Sequence, residues 1–158
     1  MTAPVGETDI VQAIFSALQA NQDLTTLLAQ GPGGNTIRYG SDLADGTTPV
    51  VVVEATADSP EAGVQEVHSI LIDITASTRA DPTGILDPAD PMLHTTSIKR
   101  RIRETLIGSG GKAHGRLELP GGGCAIVSED SEIPLRKDLR RDAEYWTTVQ
   151  TFRVLYHR

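Results

Sequence analysis

The chain has 158 residues, of which 39% are hydrophobic and only 4% aromatic, a size that suits one domain where two would want roughly 200 residues or more. Fourteen Lys and Arg stand against 21 Asp and Glu, and the resulting net charge of −7 argues against nucleic-acid binding driven by overall charge. A single cysteine, Cys124, excludes an internal disulfide, and no stretch approaches the ~18 apolar residues that would cross a bilayer, so we expect one soluble acidic domain, residues 1–158, made in a reducing cytoplasm.

The first expected element is a helix capped by Thr8, with Ile10, Val11, Ile14, Phe15 and Leu18 at helical spacing and Asp9 near the positive end of the helix dipole. After Asn21, the residues Asp23, Leu24, Leu27 and Leu28 predict a short second helix, ended by the Gly-Pro-Gly-Gly run at 31–34. A strand over 36–39 follows. The run PVVVVEA from Pro49 predicts a strand buried on both faces, because β-branched residues without polar alternation belong where neither side meets water. A further strand over 64–76 alternates, with Ile70, Ile72 and Ile74 on one face and Ser69, Asp73 and Thr75 on the other with Leu71.

Residues 77–91 hold Asp81-Pro82, Asp87-Pro88 and Asp90-Pro91, pairs that disfavour helix before each proline, and predict a long loop that serves as a contact arm. A third helix is expected over 92–107, with Ile98, Ile102 and Leu106 on one stripe and Lys99, Arg100, Arg101, Arg103 and Glu104 around the rest. The glycines at 108, 110, 111 and 121–123 predict a second flexible loop over 108–123, followed by a short apolar strand, CAIVS, at 124–128. The final strand, 144–156, carries four of the six aromatics and is expected at the centre of the sheet. Strands grouped around a helix, with no regular β-α alternation, predict an α+β fold: a mostly antiparallel sheet with helices packed on one face.

Tests for chemistry return little. The stretch Gly108-Ser109-Gly110-Gly111-Lys112 fails as a phosphate loop, since Ala113 stands where Ser or Thr is needed and the loop follows a helix. His68, His94, His114 and His157 lack the i, i+2 or i, i+4 spacing that joins two imidazoles on one metal, and His94 and His114 fall in or near loops. The segment DPTGILDPADP lacks the alternating oxygens and terminal Glu of a calcium loop. No serine sits in a nucleophile elbow, and Cys124 reads as a small core residue. No cofactor, metal or catalytic residue is therefore assigned.

Charge is unevenly placed. Residues 1–78 hold ten acids and one base, Arg38, for −9, while residues 79–158 hold eleven acids and thirteen bases, for +2. Three readings stand for the basic clusters Lys99, Arg100, Arg103 and Arg136, Lys137, Arg140, Arg141: a solvated helix face plus a loop, a surface that meets an acidic neighbouring subunit, or phosphate contact. Together with Asp81, Asp87 and Asp90 in the first loop and Lys112 in the second, they are the candidate interface residues.

The order of these parts resembles the tail terminator, or tail completion, proteins of long-tailed bacteriophages and related viruses. The resemblance runs through DIVQAIFSALQANQDLTTLL, TPVVVVEA, VHSILIDITAS, the basic helix IKRRIRETL and the closing YWTTVQTFRVLYHR, and so covers nearly all of the chain. It implies a non-catalytic structural virion protein at the tail–neck junction: a homo-hexameric ring that caps the tail tube, stops its polymerisation and joins it to a neck or head completion protein. Genomic DNA would pass through the lumen without specific binding, and no membrane is involved. The two long loops exceed the family outline and are expected to be tail or neck contact arms. A head completion or neck adaptor protein, and a small ligand-binding or enzymatic α+β domain, are the alternatives. If the acidic half meets the basic segments of the next subunit, reversing charge at Arg100 and Arg103 is expected to weaken the ring.

Overall fold

The computed structural model describes residues 6–30, 37–39, 49–56, 59–61, 64–79, 86–140 and 143–157. Three helices, α1 (Glu7–Ala20), α2 (Gln22–Leu28) and α3 (Pro91–Leu106), pack on one face of a sheet formed by β1 (Ile37–Tyr39), β2 (Val50–Ala55), β3 (Ser59–Glu61), β4 (Val64–Arg79), β5 (His114–Glu118), β6 (Cys124–Arg140) and β7 (Ala143–His157). The strand order is β1-β2-β4-β7-β6-β5, with β3 pairing on β4. All pairings are antiparallel except β1 with β2. This is the mostly antiparallel α+β architecture read from the sequence.

The helices form where the apolar spacing places them, but α1 starts earlier than expected. Its cap is Gly6: the Asp9 carboxylate accepts from the Gly6 amide at 2.9 Å, and the Gly6 carbonyl accepts from Ile10. Asp9 thus satisfies an amide outside the helix as well as favouring its positive end, which leaves Thr8 inside the first turn. Asn21 caps α2 through Leu24, and its amide group also donates to Thr105 of α3 at 2.6 Å. Ile10, Ile14, Leu18, Leu24, Ile98 and Ile102 are fully buried against Ile70, Ile72 and Ile74 of β4 and Phe152 and Val154 of β7. In β2, Val51 and Val53 join this core while Val50 and Val52 are buried on the opposite face, as the unbroken valine run requires.

β7 is the central strand. It pairs with β4 from Tyr145 to His157 and with β6 along nearly all of its length. Its even-numbered residues from Thr148 to Tyr156 are buried beneath the helices.

Four expectations are corrected. The loop expected over 108–123 contains β5, whose Leu117 reaches the core. The short strand at 124–128 continues to Arg140, because the Ser-Glu-Asp-rich stretch that lacks an apolar signal of its own is paired to β7 through two bulges; the cluster Arg136, Lys137 and Arg140 therefore lies on a strand and not on a loop. Residues 77–79 of the expected loop are strand, since Ser77, Thr78 and Arg79 pair with Thr147, Trp146 and Tyr145; Asp81 lies outside the described residues. Cys124 is exposed, since Ala125 and Val127 take the inward positions and alternation turns Cys124 and Ile126 outward.

Candidate functional site

The basic stripe of α3 faces β6 and finds its partners there. Lys99 Nζ lies 2.7 Å from Glu132, and Arg103 Nε donates to Glu129 at 3.1 Å. The Arg103 guanidinium also donates to the carbonyls of Gly108 and Lys112, tying the turn after α3 to the helix. Arg101 pairs with Glu104 at 2.9 Å and Asp23 at 3.5 Å. Arg100 alone of this set is exposed with no ion pair among the described residues, lining a polar groove with Asp23, Asp87 and Ser97. The stripe legible in the sequence is thus largely neutralised within the subunit by acids of β6 and of the helices.

The other candidates fall apart spatially. Asp90 accepts from the Met92 amide and caps α3, a structural role, while the Asp87 amide donates to Gln30 Oε1 at 2.8 Å. Lys112 is exposed in the turn before β5. Lys137 approaches Glu144 at 3.5 Å. Arg136 pairs in register with Thr147 on the outer sheet face, away from the helices, and has no ion-pair partner among the described residues. Arg140 is a strand residue whose side chain is outside the description, as is all of Arg141.

Two features escaped the sequence reading. The first centres on His94, in the first turn of α3: its exposure is 0%, its Nδ1 is 3.3 Å from Thr78 Oγ1, and its Nε2 is 3.0 Å from Gln30 Oε1. Gln30 Oε1 has no hydrogen to give, so Nε2 donates, and the neutral ring accepts from Thr78 through Nδ1. Burial holds the His94 pKa below its ordinary value, against the opposing effects of the Leu27 carbonyl and the Asp87 charge. Thr78 is likewise 0% exposed, so this hydroxyl–imidazole pair is sealed from any substrate and acts as a clasp between α2, α3 and β4. A histidine four residues past Asp90 in a helix with Ile98 gives the one sequence signal for this, since it falls on the buried stripe.

The second is an open groove of about 300 Å³ between α1 and β1, lined by Glu7, Thr8, Val11, Gln12, Phe15 and Tyr39. Alternation places Tyr39 beside α1 with Ile37, which packs on the core, and turns Arg38 to the outer face. The Tyr39 hydroxyl meets Glu7 at 3.5 Å.

Among the described residues no cluster of three or more His, Cys, Asp or Glu is placed to hold a metal ion, and no helix is long and apolar enough to cross a membrane. No protein-family model matches the chain, and no curated protein matches it. The described surface bears a groove with an acidic rim on one side and, on the other, a sheet face with exposed Ile126 and Ile133 and with Arg136, which has no ion pair among the described residues.

Proposed function

We propose that the chain is the subunit of a ring that ends a viral tail tube, a structural assembly protein of the tail-terminator kind. The observation that carries this reading is the order of elements: a helix pair, a valine strand, a long alternating strand, a basic amphipathic helix and a closing aromatic strand, which together resemble that family along nearly the whole chain. What supports it in the fold is that, among the described residues, the helices cover only one face of the sheet and no strand pairs with the distal half of β6 on the side away from β7.

Termination needs a ring with one face that matches the last ring of the tube and another that does not repeat the match, so that growth stops by geometry; contacts between two different patches of identical subunits generate such rings when the rotation closes. A net charge of −7 disfavours tight phosphate contact and suits a lumen through which DNA slides.

The test mixes the purified chain with polymerising tail-tube protein and measures tube length by negative-stain microscopy. Shortened tubes with capped ends are expected. Tubes of unchanged length without caps overturn the reading, and binding to portal-side components instead favours the neck adaptor.

A further inference from the structure

We propose that the groove between α1 and β1 receives the outer-face strip of β6, Ile133 to Arg136, from a second copy of this chain. The inference rests on the ring reading for its partner, and names the surface by which neighbouring subunits meet.

The groove is apolar within and acidic at its rim. Val11, Phe15 and the Tyr39 ring supply the apolar part, Glu7 the charge, and Glu7 forms no ion pair among the described residues. Its volume of about 300 Å³ accommodates a branched aliphatic side chain with space to spare. The strip is the chemical converse. Ile133 is 46% exposed on a face it shares with Val149, its partner in register, and Arg136 lies on the same face opposite Thr147. Glu7 stands one helical turn from Val11, about 6 Å, and Arg136 stands opposite the residue two positions from Ile133's partner on β7, about 7 Å beyond Ile133 across a bulge, so long side chains bring the two charges together once the isoleucine is seated.

One chain cannot make this contact with itself. The groove lies on the helix side at the β1 edge, the strip lies on the outer face of β6, and β2, β4 and β7 run between them. The contact is therefore heterologous, and repeating it builds a closed ring or an open filament. Charge favours the same occupant: the half of the sequence holding the groove carries −9 and the half holding the strip carries +2; Lys99, Arg101 and Arg103 of α3 are engaged within the subunit, and of the exposed cations without an ion pair among the described residues Arg136 is the one that shares the outer face with Ile133.

The experiment uses the full chain and follows its mass by light scattering and sedimentation over a concentration series. Glu7→Arg and Arg136→Glu are each expected to move the association midpoint at least tenfold towards higher concentration, and the double variant to restore it, with circular dichroism confirming the fold of each. As a second measurement, Phe15→Cys with Ile133→Cys in a Cys124→Ser background is expected to give an oxidised ladder of covalent oligomers. If the wild type assembles but neither single variant shifts and no ladder forms, this contact is wrong while the ring reading stands. A wild type that is monomeric throughout overturns both. Reciprocal charge rescue in an assembly other than a hexamer upholds the contact and sinks the six-fold reading.

Discussion

The backbone of Gly115, in β5, runs against the carbonyl of Leu106 at the end of α3 so closely that a β-carbon on residue 115 would overlap the carbonyl oxygen. The obstructing atoms are backbone, which cannot swing aside. Gly115→Ala is therefore expected to destabilise the fold by about 1–3 kcal/mol or more, because α3 or β5 must shift. Gly123→Ala, where an added β-carbon meets only the Leu119 side chain at 3.8 Å, is expected to stay within about 0.5 kcal/mol of wild type. Urea unfolding of the two variants side by side checks this.

His94 gives stability a pH dependence of known sign. Its folded pKa lies below the ordinary value of 6.5, so between the two values the unfolded chain binds the proton that the folded chain excludes. Stability is therefore full above pH 6.5 and falls as pH drops through that value towards the folded pKa, with a limiting slope of about 1.4 kcal/mol per pH unit. Denaturant melts at pH 7.5 and pH 5.5 are expected to differ more for wild type than for His94→Gln. An equal drop in both would remove His94 as the cause.

Arg103 holds Glu129 and two carbonyls of the turn after α3, so Arg103→Glu is expected to cost about 1.5–3 kcal/mol of stability before it touches any assembly. Lys99→Ala, which removes one partly exposed pair, is expected to cost under about 1 kcal/mol and to leave the oligomeric mass unchanged. The paired reversal at Arg100 and Arg103 is for this reason a poor probe of subunit contact. Melting curves recorded beside light scattering separate the two effects.

Gln150 is buried beneath α3, with its amide nitrogen on the Lys99 carbonyl at 3.3 Å and its Oε1 without a hydrogen-bond partner among the described residues. An orphaned buried acceptor carries a desolvation penalty of about 1–3 kcal/mol. Gln150→Leu is thus expected to raise stability by about 1 kcal/mol, a gain that calorimetry would register as a higher melting temperature.

What the residues announced locally, the fold repeats. The valine run of β2, the isoleucine alternation of β4 and the four-residue repeat of α3 each carry a period that only one kind of element satisfies. The distal half of β6 carries none: exposed at every position from Glu129 to Lys137 but Leu135, it has no buried face to impose alternation, and its pairing to β7 decides its conformation. The same holds for the interface candidates. A stripe of cations is visible in the sequence, whereas the acids that pair with Arg103 and Lys99 stand 26 and 33 positions away and meet them only when β6 crosses α3. The groove escaped for a like reason, being assembled from a helix and a strand that each look ordinary alone.

The placement of β7 also sets the order in which the chain acquires its shape. The strand that follows all others in sequence is the one into which β4 and β6 both lock, and Asp73 meets Thr151 across a separation of 78 residues, their side chains 2.6 Å apart. Contacts so distant along the chain close slowly and late. On the ribosome, the growing polypeptide therefore holds an incomplete sheet until β7 emerges.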